Sequence, residues 1–227
     1  SSGIMGLIDA SECPPTFGAN FDDIRCFLRG GWPELMDDES EDHAAAGPEF
    51  KIDLDAFETE KLPTIGKGDL ILGLAIGELG PNVRMLLETA KQTKATVALL
   101  LITSSSEIPK DLPVDPENVY HIQIPSLGFV SGYYNLAELA LKVALNALST
   151  GAHVMVGKVY HNRMIDLKIS NNKLYFRAIR TICTLANVKD EVAKQALHRA
   201  VYGKDSLSTS EAEAQPSTII AKATGAN

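Results

Sequence analysis

Two apolar runs separated by a helix-length segment constrain the fold of this chain most strongly. Leu70–Ile76 is a continuous apolar run bounded by glycines, and residues 95–103 are apolar on both faces of a strand. Residues 83–94 between them carry apolar side chains at helical spacing, which predicts a strand–helix–strand unit. Because strands that are apolar on both faces are typical of parallel sheets covered by helices, the sequence predicts an α/β fold with a parallel sheet.

The flanking segments extend this architecture. Residues 119–124 predict a third strand, and residues 135–148 predict a mostly buried helix, because the polar side chains of this helix occupy one narrow stripe. Further helices are predicted over residues 4–10, where the helix stops before Pro14, and over 22–29, 173–185 and 190–202. Three strands are few for such a core, and a Ser-Ser-Gly loop leads into the first helix, so we expect a strand before Ser1 in the native fold.

Composition divides the chain into a main domain and a tail. We expect one domain over residues 1–180 and a helical extension over 181–204. After Lys204 the sequence holds mostly Ser, Thr, Glu, Ala and Gly. Such a segment buries too little apolar surface to offset its ordering entropy, so we predict a disordered tail over 205–227. The acidic residues 34–49 are expected to form a solvated loop or a frayed helix.

Charge and cysteine usage exclude several function classes. The 21 lysine and arginine residues against 29 aspartate and glutamate residues give a net charge of −8, which argues against a nucleic-acid partner. The apolar runs fall far short of the ~20 residues of a membrane span. The three cysteines have no CxxC spacing, which favours a reducing compartment, the cytoplasm or the nucleus. No His or Cys pair has metal-ligand spacing, so no metal site is predicted.

Ligand sites in this architecture lie in the loops that follow parallel strands, and three such loops are candidates. Ser1 and Ser2 could hold a phosphate or sugar, although a tag remnant or a helix cap fits them equally well. The loop over 77–82 carries Glu78, whose carboxylate competes with an anion for the helix N-terminus, so we expect it to bind no phosphate. Residues 103–106 offer four consecutive hydroxyl groups, which more commonly form a capped loop than a ligand site.

Two charged side chains stand out. Glu12 lies between an apolar helix and a Pro-Pro turn, where it either caps the turn or is partly buried and serves as an acid or base. Glu39 or Glu41 could supply a second carboxylate. Lys158 follows Gly157 within an apolar stretch, so its ammonium group must either extend to solvent or meet an anion.

Two segments carry a resemblance to a known family. Residues 9–18 (DASECPPTFG) and 149–174 (STGAHVMVGKVYHNRMIDLKISNNKL) resemble signatures shared by N-acetylmuramic acid 6-phosphate etherases and glucokinase regulatory proteins. Both groups belong to the sugar isomerase (SIS) domain superfamily. The segments FGANFDDIRCFL, GPEF and STGAHVMVGK resemble the second SIS domain of the regulatory proteins more closely. The resemblance spans roughly residues 3–180.

This resemblance implies an SIS-type parallel sheet flanked by helices and a protein without a cofactor. Members of the family bind phosphorylated sugars, and the regulatory proteins inhibit glucokinase, a hexokinase, in response to fructose phosphates. The lysine that matches Lys158 reaches from the second SIS domain into the sugar-phosphate site of the first. The implied partners are therefore a hexokinase, a sugar phosphate and another SIS domain, in the same chain or by dimerisation.

The resemblance also locates a departure from the etherases. These enzymes use a glutamate that matches Glu12, and a second that aligns with Glu41 if a short gap is allowed. Their hydroxyl-rich phosphate loop is replaced here by GELGPN at 77–82, which has neither the serine nor the arginine. Our leading hypothesis is a non-catalytic regulatory domain that senses a sugar phosphate. The alternatives are an etherase-like lyase with Glu12 as general acid or base, and a structural half that pairs with another SIS domain.

Overall fold

The computed structural model of the protein describes residues 2–35, 47, 50–126 and 135–225. The chain divides into two units, one built from residues 1–11 and 25–149 and the other from residues 12–24 and 150–227. This division differs from the expected boundary at residue 180. It follows the packing of side chains, because each unit has its own apolar core.

A parallel sheet organises the first unit. Within the described residues, β1 (Leu70–Ile76), β2 (Thr96–Thr103) and β3 (Val119–Gln123) pair in the order β1-β2-β3. Alternate β2 side chains enter two different apolar clusters: Leu99 and Leu101 pack with α4 (Pro81–Ala90), and Leu100 and Ile102 pack with α5 (Leu136–Met155). The predicted α/β fold with a parallel sheet flanked by helices is thereby confirmed.

Glycines at positions 3 and 6 allow α1 (Ser2–Phe17) to lie close to the chain around Cys26 and Leu28. A Cβ atom on Gly3 would lie 2.7 Å from Leu28 Cβ, and one on Gly6 would lie 2.8 Å from Cys26 Sγ. Ser2 and Gly3 therefore form the first turn of this helix and not the predicted loop, whereas Ser1 lies outside the described residues.

Two prolines lie inside α1, which continues to Phe17 although the sequence predicts that the helix ends before Pro14. A proline in a helix interior costs about 3 kcal/mol, because it lacks the N–H group and crowds the preceding turn. Ala10, Cys13 and Phe17 are nevertheless buried at a spacing of three and four residues along the helix. Burial of this face offsets the cost of the prolines.

Short elements connect α1 to the sheet. The predicted helix over 22–29 is wrong: a 3-10 turn at Phe21–Asp23 is followed by extended chain, because the Leu28 amide pairs with the Ile52 carbonyl at 2.7 Å. The remaining helical segments of this unit are α2 (Gly31–Leu35), α3 (Leu54–Ala56), a π-helix at Phe57–Lys61 and 3-10 turns at Leu62–Thr64 and Pro116–Asn118. Most of the acidic segment 34–49 lies outside the described residues.

The helix predicted over 135–148 is longer and less buried than expected. α5 extends to Met155 and packs Ala137, Leu141 and Leu145 on the sheet. Apolar side chains also occupy the opposite face of this helix, where Leu139 and Val143 are exposed. The sequence pattern cannot reveal this, because both faces carry the same residue types.

The second unit is helical. It contains the hairpin of β4 (Val159–Tyr160) and β5 (Arg163–Met164), followed by α6 (Asn172–Ala186), α7 (Asp190–Tyr202), α8 (Thr209–Ala212) and α9 (Pro216–Thr224). A buried histidine links several of these elements. His198 Nε2 lies 2.8 Å from the Tyr175 hydroxyl, and Nδ1 donates to the Glu211 carbonyl at 2.9 Å. Since a carbonyl oxygen only accepts hydrogen bonds, His198 carries a proton on Nδ1.

The segment expected to be disordered, 205–227, instead holds α8 and α9. Ile219 is 0% exposed within the core of the second unit. Ser208 and Glu211 form a capping box at the start of α8, and Glu211 also pairs with Lys204 at 2.5 Å. The bonds from Lys204 and Ser208 lower the pKa of the Glu211 carboxyl to about 2. One buried isoleucine and good caps thus order a segment whose average composition is polar.

Replacement of the buried tail residue tests this packing. We expect Ile219→Ala to lower the free energy of unfolding by about 2–4 kcal/mol, because it leaves a cavity in the core. The matched control is Val192→Ala at a side chain that is 49% exposed, where the change stays within about 0.5 kcal/mol. Urea unfolding of both variants measures the difference, and equal effects would mean that the tail does not pack.

The Glu211 carboxyl predicts a pH dependence of stability. Its folded-state pKa, about 2, lies below the ordinary value of 4.5, so its contribution is complete above pH 4.5 and is lost as the pH falls towards 2. We expect Glu211→Gln to be less stable than the wild type at pH 7 and the gap to close over that interval. Urea midpoints across the pH range measure it, with Glu213→Gln as control, and a gap that stays constant contradicts the assignment.

Candidate functional site

The C-terminus of α5 fixes the backbone of Lys158. The Lys158 amide donates to the His153 carbonyl at 2.9 Å, and the Gly157 amide donates to the Val154 carbonyl at 3.1 Å. This pair of bonds is a Schellman motif, which requires a left-handed residue after the helix, and Gly157 supplies it with φ +78°. Lys158 therefore leaves the helix end in one defined direction.

The hairpin that follows returns the chain to Lys158. β4 and β5 pair antiparallel with Val159 opposite Met164, and the Ile165 amide donates to the Lys158 carbonyl at 3.1 Å. Asp166 comes next, and its Oδ2 atom forms an ion pair with Lys158 Nζ. Of the two outcomes expected for this lysine, solvent or an anion, the structure provides an anion from the same chain.

Most of both quoted signatures, residues 12–18 and 150–174, lies in the second unit, where the two segments contact each other. Gly18 has φ +62°, and a Cβ atom there would lie 2.9 Å from Asp166 Cγ. The Lys168 amide donates to the Pro15 carbonyl at 2.9 Å. Phe17 stacks on His153 with ring centroids 4.1 Å apart and an interplanar angle of 9°. We call this group the signature cluster, and it consists of Phe17, Gly18, His153, Lys158, Asp166 and Lys168.

The other predicted site residues are placed differently. Glu12 is exposed within α1, which continues through both prolines. Helix replaces the Pro-Pro turn of the capping alternative, and the partial burial of the other alternative is not observed. Ser2 lies half-buried in the first turn of α1. Ser1, Glu39 and Glu41 lie outside the described residues.

Two of the six residues in the loop over 77–82 offer no backbone donor to an anion. The Gly77 amide already donates to the Ile102 carbonyl at 2.8 Å. Gly80 is the N-cap of α4, and Pro81, the first helical residue, has no N–H group. Glu78 is exposed in the same loop. These features agree with the expectation that the loop binds no phosphate, which stays a prediction.

Two of the four consecutive hydroxyl groups, those of Thr103 at the end of β2 and Ser105 just after it, form hydrogen bonds within the turn. The Thr103 hydroxyl donates to the Ser105 carbonyl at 2.9 Å and lies 2.8 Å from His121 Nε2. Ser105 Oγ accepts from the Glu107 amide at 3.0 Å. The turn is capped in the manner that the commoner interpretation of this run predicts.

The described residues show neither a metal site nor a reactive thiol at Cys26. No group of three or more His, Cys, Asp or Glu side chains among them could hold a metal ion. Burial raises the pKa of the Cys26 thiol to about 12, so it carries no thiolate at neutral pH. None of the helices in this part of the chain combines the length and apolar character needed to cross a membrane.

Comparison with known proteins assigns both parts of the chain. A family model described as the second SIS domain of glucokinase regulatory protein matches residues 1–156. A model described as the C-terminal lid domain of glucokinase regulatory protein matches residues 161–227. Lys158 lies between the two matched regions, and the second match includes the segment that was expected to be disordered.

Individual relatives fall into two groups. N-acetylmuramic acid 6-phosphate etherase 1 of Bacillus licheniformis is 34% identical over 200 residues, which cover 87% of this chain and 61% of the etherase. The glucokinase regulatory protein of Homo sapiens is 30% identical over 216 residues, which cover 91% of this chain and 34% of that protein. The corresponding protein of Xenopus laevis is 27% identical over 214 residues, with the same coverage. The chain thus spans about three fifths of the etherase and a third of the regulatory proteins.

Two glycines with the same backbone conformation test the contact between the signature segments. Gly18 has φ +62° and faces Asp166, whereas Gly203 has φ +64° with nothing within 4 Å of a Cβ. Alanine at either position costs about 1–2 kcal/mol for the left-handed conformation. We expect Gly18→Ala to cost at least about 1 kcal/mol more than Gly203→Ala, because its Cβ also crowds Asp166. Urea unfolding compares the two, and equal losses contradict the contact.

Proposed function

The chain belongs to the family of the second SIS domain of glucokinase regulatory proteins, and we propose that it is a sugar-phosphate-responsive regulatory domain that binds and inhibits glucokinase or a related hexokinase. The observation that carries this proposal is the signature cluster. It combines both family signatures around one lysine at a fixed helix end. The fructose phosphates are the sugar phosphates proposed as ligands.

Lys158 has the properties of a residue that binds phosphate. Its side chain is 29% exposed, and partly buried lysines pack their apolar stem against the protein and keep the ammonium group toward water. The Schellman motif limits the backbone entropy that binding would cost. An ammonium group forms strong charge-assisted bonds with phosphate oxygens. Glu12, Ser1 and Ser2 stay predicted ligand-binding residues.

The proposed function requires a second SIS domain in addition to this chain. Another SIS domain, in the same chain or by dimerisation, would supply the main sugar-phosphate site, and Lys158 would reach into it. The strand expected before Ser1 stays a prediction. The proposed location is the cytoplasm, the nucleus or both.

An etherase-like lyase is the second candidate, and the similarity to etherases favours it. Glu12 is exposed on α1 and would be the general acid or base. Against it, the loop over 77–82 carries Glu78 and Pro81 where the etherases have a hydroxyl-rich phosphate loop. Release of lactate from N-acetylmuramic acid 6-phosphate, abolished by Glu12→Gln, would favour the lyase over the regulatory domain.

The experiment uses this chain together with the other SIS domain that the proposal requires, either joined to it in one polypeptide or added as a separate chain. We expect inhibition of glucokinase at micromolar concentration, with a strength that depends on fructose 1-phosphate or fructose 6-phosphate. Lys158→Ala should weaken binding of these sugars by about 1.5–3 kcal/mol, the scale of a hydrogen bond to a charged group. Isothermal titration calorimetry measures the loss.

Lys173→Ala serves as the control, because Lys173 is exposed on α6 outside the signature cluster. Its affinity for the sugar phosphates should equal that of the wild type. Absence of inhibition at micromolar concentration contradicts the regulatory role. Unchanged affinity in Lys158→Ala would instead favour the third hypothesis, a structural half that only pairs with another SIS domain.

A further inference from the structure

Lys158 is already neutralised by a carboxylate of its own chain. Its Nζ atom pairs with Asp166 Oδ2 across the β4–β5 hairpin, eight residues further along the sequence. We infer that Asp166 is an intramolecular competitor for the anion that Lys158 binds, so that a phosphate group must displace this carboxylate. This inference rests on the proposed function and adds to it an element that sets the affinity of the same site.

The β4–β5 hairpin places Asp166 beside Lys158, so the ion pair is part of the local fold. The Ile165 amide bonds to the Lys158 carbonyl at 3.1 Å, which fixes the register and brings Asp166 alongside the lysine. On the other side, a Cβ atom on Gly18 would lie 3.0 Å from Asp166 Oδ2. The nearest atom to such a Cβ is the Asp166 backbone carbonyl oxygen, so the absence of a side chain at position 18 leaves space for both the backbone and the carboxylate of Asp166.

The exposure of the two partners indicates which of them moves. The Asp166 side chain is 55% exposed, whereas that of Lys158 is 29% exposed. Rotation of Asp166 into water restores its hydration, while the lysine can stay where the helix end directs it. The ammonium group then exchanges one oxygen anion for another, and no buried charge is left without a partner.

A phosphate monoester is attracted to Lys158 more strongly than a carboxylate is, but the Asp166 carboxylate opposes its binding. It carries up to two negative charges, so its attraction to an ammonium group exceeds that of a carboxylate. Asp166 also repels it as a like charge for as long as the carboxylate stays nearby. The carboxylate therefore lowers the affinity for phosphorylated sugars and leaves the affinity for uncharged sugars unaffected.

A different role for Asp166 predicts the opposite sign. If the carboxylate positions the Lys158 ammonium group for the ligand, its removal weakens binding. If it only closes the hairpin, its removal changes stability and leaves affinity unchanged. The sign of the change in affinity therefore separates competition from positioning and from a purely structural role.

The test is Asp166→Asn, which keeps the size of the side chain and removes its charge. In the protein that contains both SIS domains, we expect the affinity for fructose 6-phosphate and fructose 1-phosphate to rise about 3- to 10-fold, the effect of removing one screened like charge. Free fructose serves as the uncharged probe, and its binding should not change. Asp205→Asn, at an exposed aspartate after α7, is the matched control for net charge.

A double-mutant cycle tests whether the gain passes through Lys158. In the Lys158→Ala background, Asp166→Asn should give a much smaller gain, because no ammonium group is left to be released. Circular dichroism and urea unfolding check that each variant folds. If Asp166→Asn does not fold, Asp166→Ser removes the same charge with a smaller side chain.

Each outcome decides between the two proposals. Equal or weaker binding in Asp166→Asn, together with weaker binding in Lys158→Ala, overturns competition and leaves the proposed sugar-phosphate site standing. Binding that appears only in Asp166→Asn supports competition in its strongest form. Absence of binding in both the wild type and Asp166→Asn overturns both proposals.

Discussion

Burial of β2 on both faces is the constraint on which the first unit depends. Leu99 and Ile102 point to opposite sides of the sheet, and both are 0% exposed. A strand of this kind needs a helix on each side, and parallel neighbours need crossover connections. α5 covers one face through Leu141 and Leu145, and its continuation ends at Gly157 and Lys158. α5 thus covers the sheet, and the candidate residue Lys158 follows this helix directly in the chain.

Local turns of the chain, and not packing of a core, place the charged residues of the signature cluster. Lys158 and Asp166 are adjacent because a Schellman motif and a hairpin turn the chain within a few residues. The family signatures therefore encode a local structure. The regulatory proposal and the competitor role of Asp166 both rest on the same feature, a lysine at a fixed helix end that pairs with a carboxylate of its own chain.

Order in the second unit comes from a few specific contacts. His198, Tyr175 and the Glu211 carbonyl form one buried hydrogen-bonded chain, and Ile219 fills the core beside them. Composition averages over such contacts, which is why residues 205–227 resemble a disordered tail by content. The capping box at Ser208 and Glu211 is the sequence signal that could have corrected this expectation.

The sequence by itself determined the α/β class, the three strands and the identity of Lys158 as an unusual cation, because apolar periodicity and isolated charges are local properties. It also carried the family signatures. Only the tertiary structure decided that α1 continues through Pro14, that Glu12 is exposed, and that Gly18 packs against Asp166. These features depend on burial and on contacts between residues far apart in the chain. Their free energies exceed the local preferences from which a sequence is interpreted.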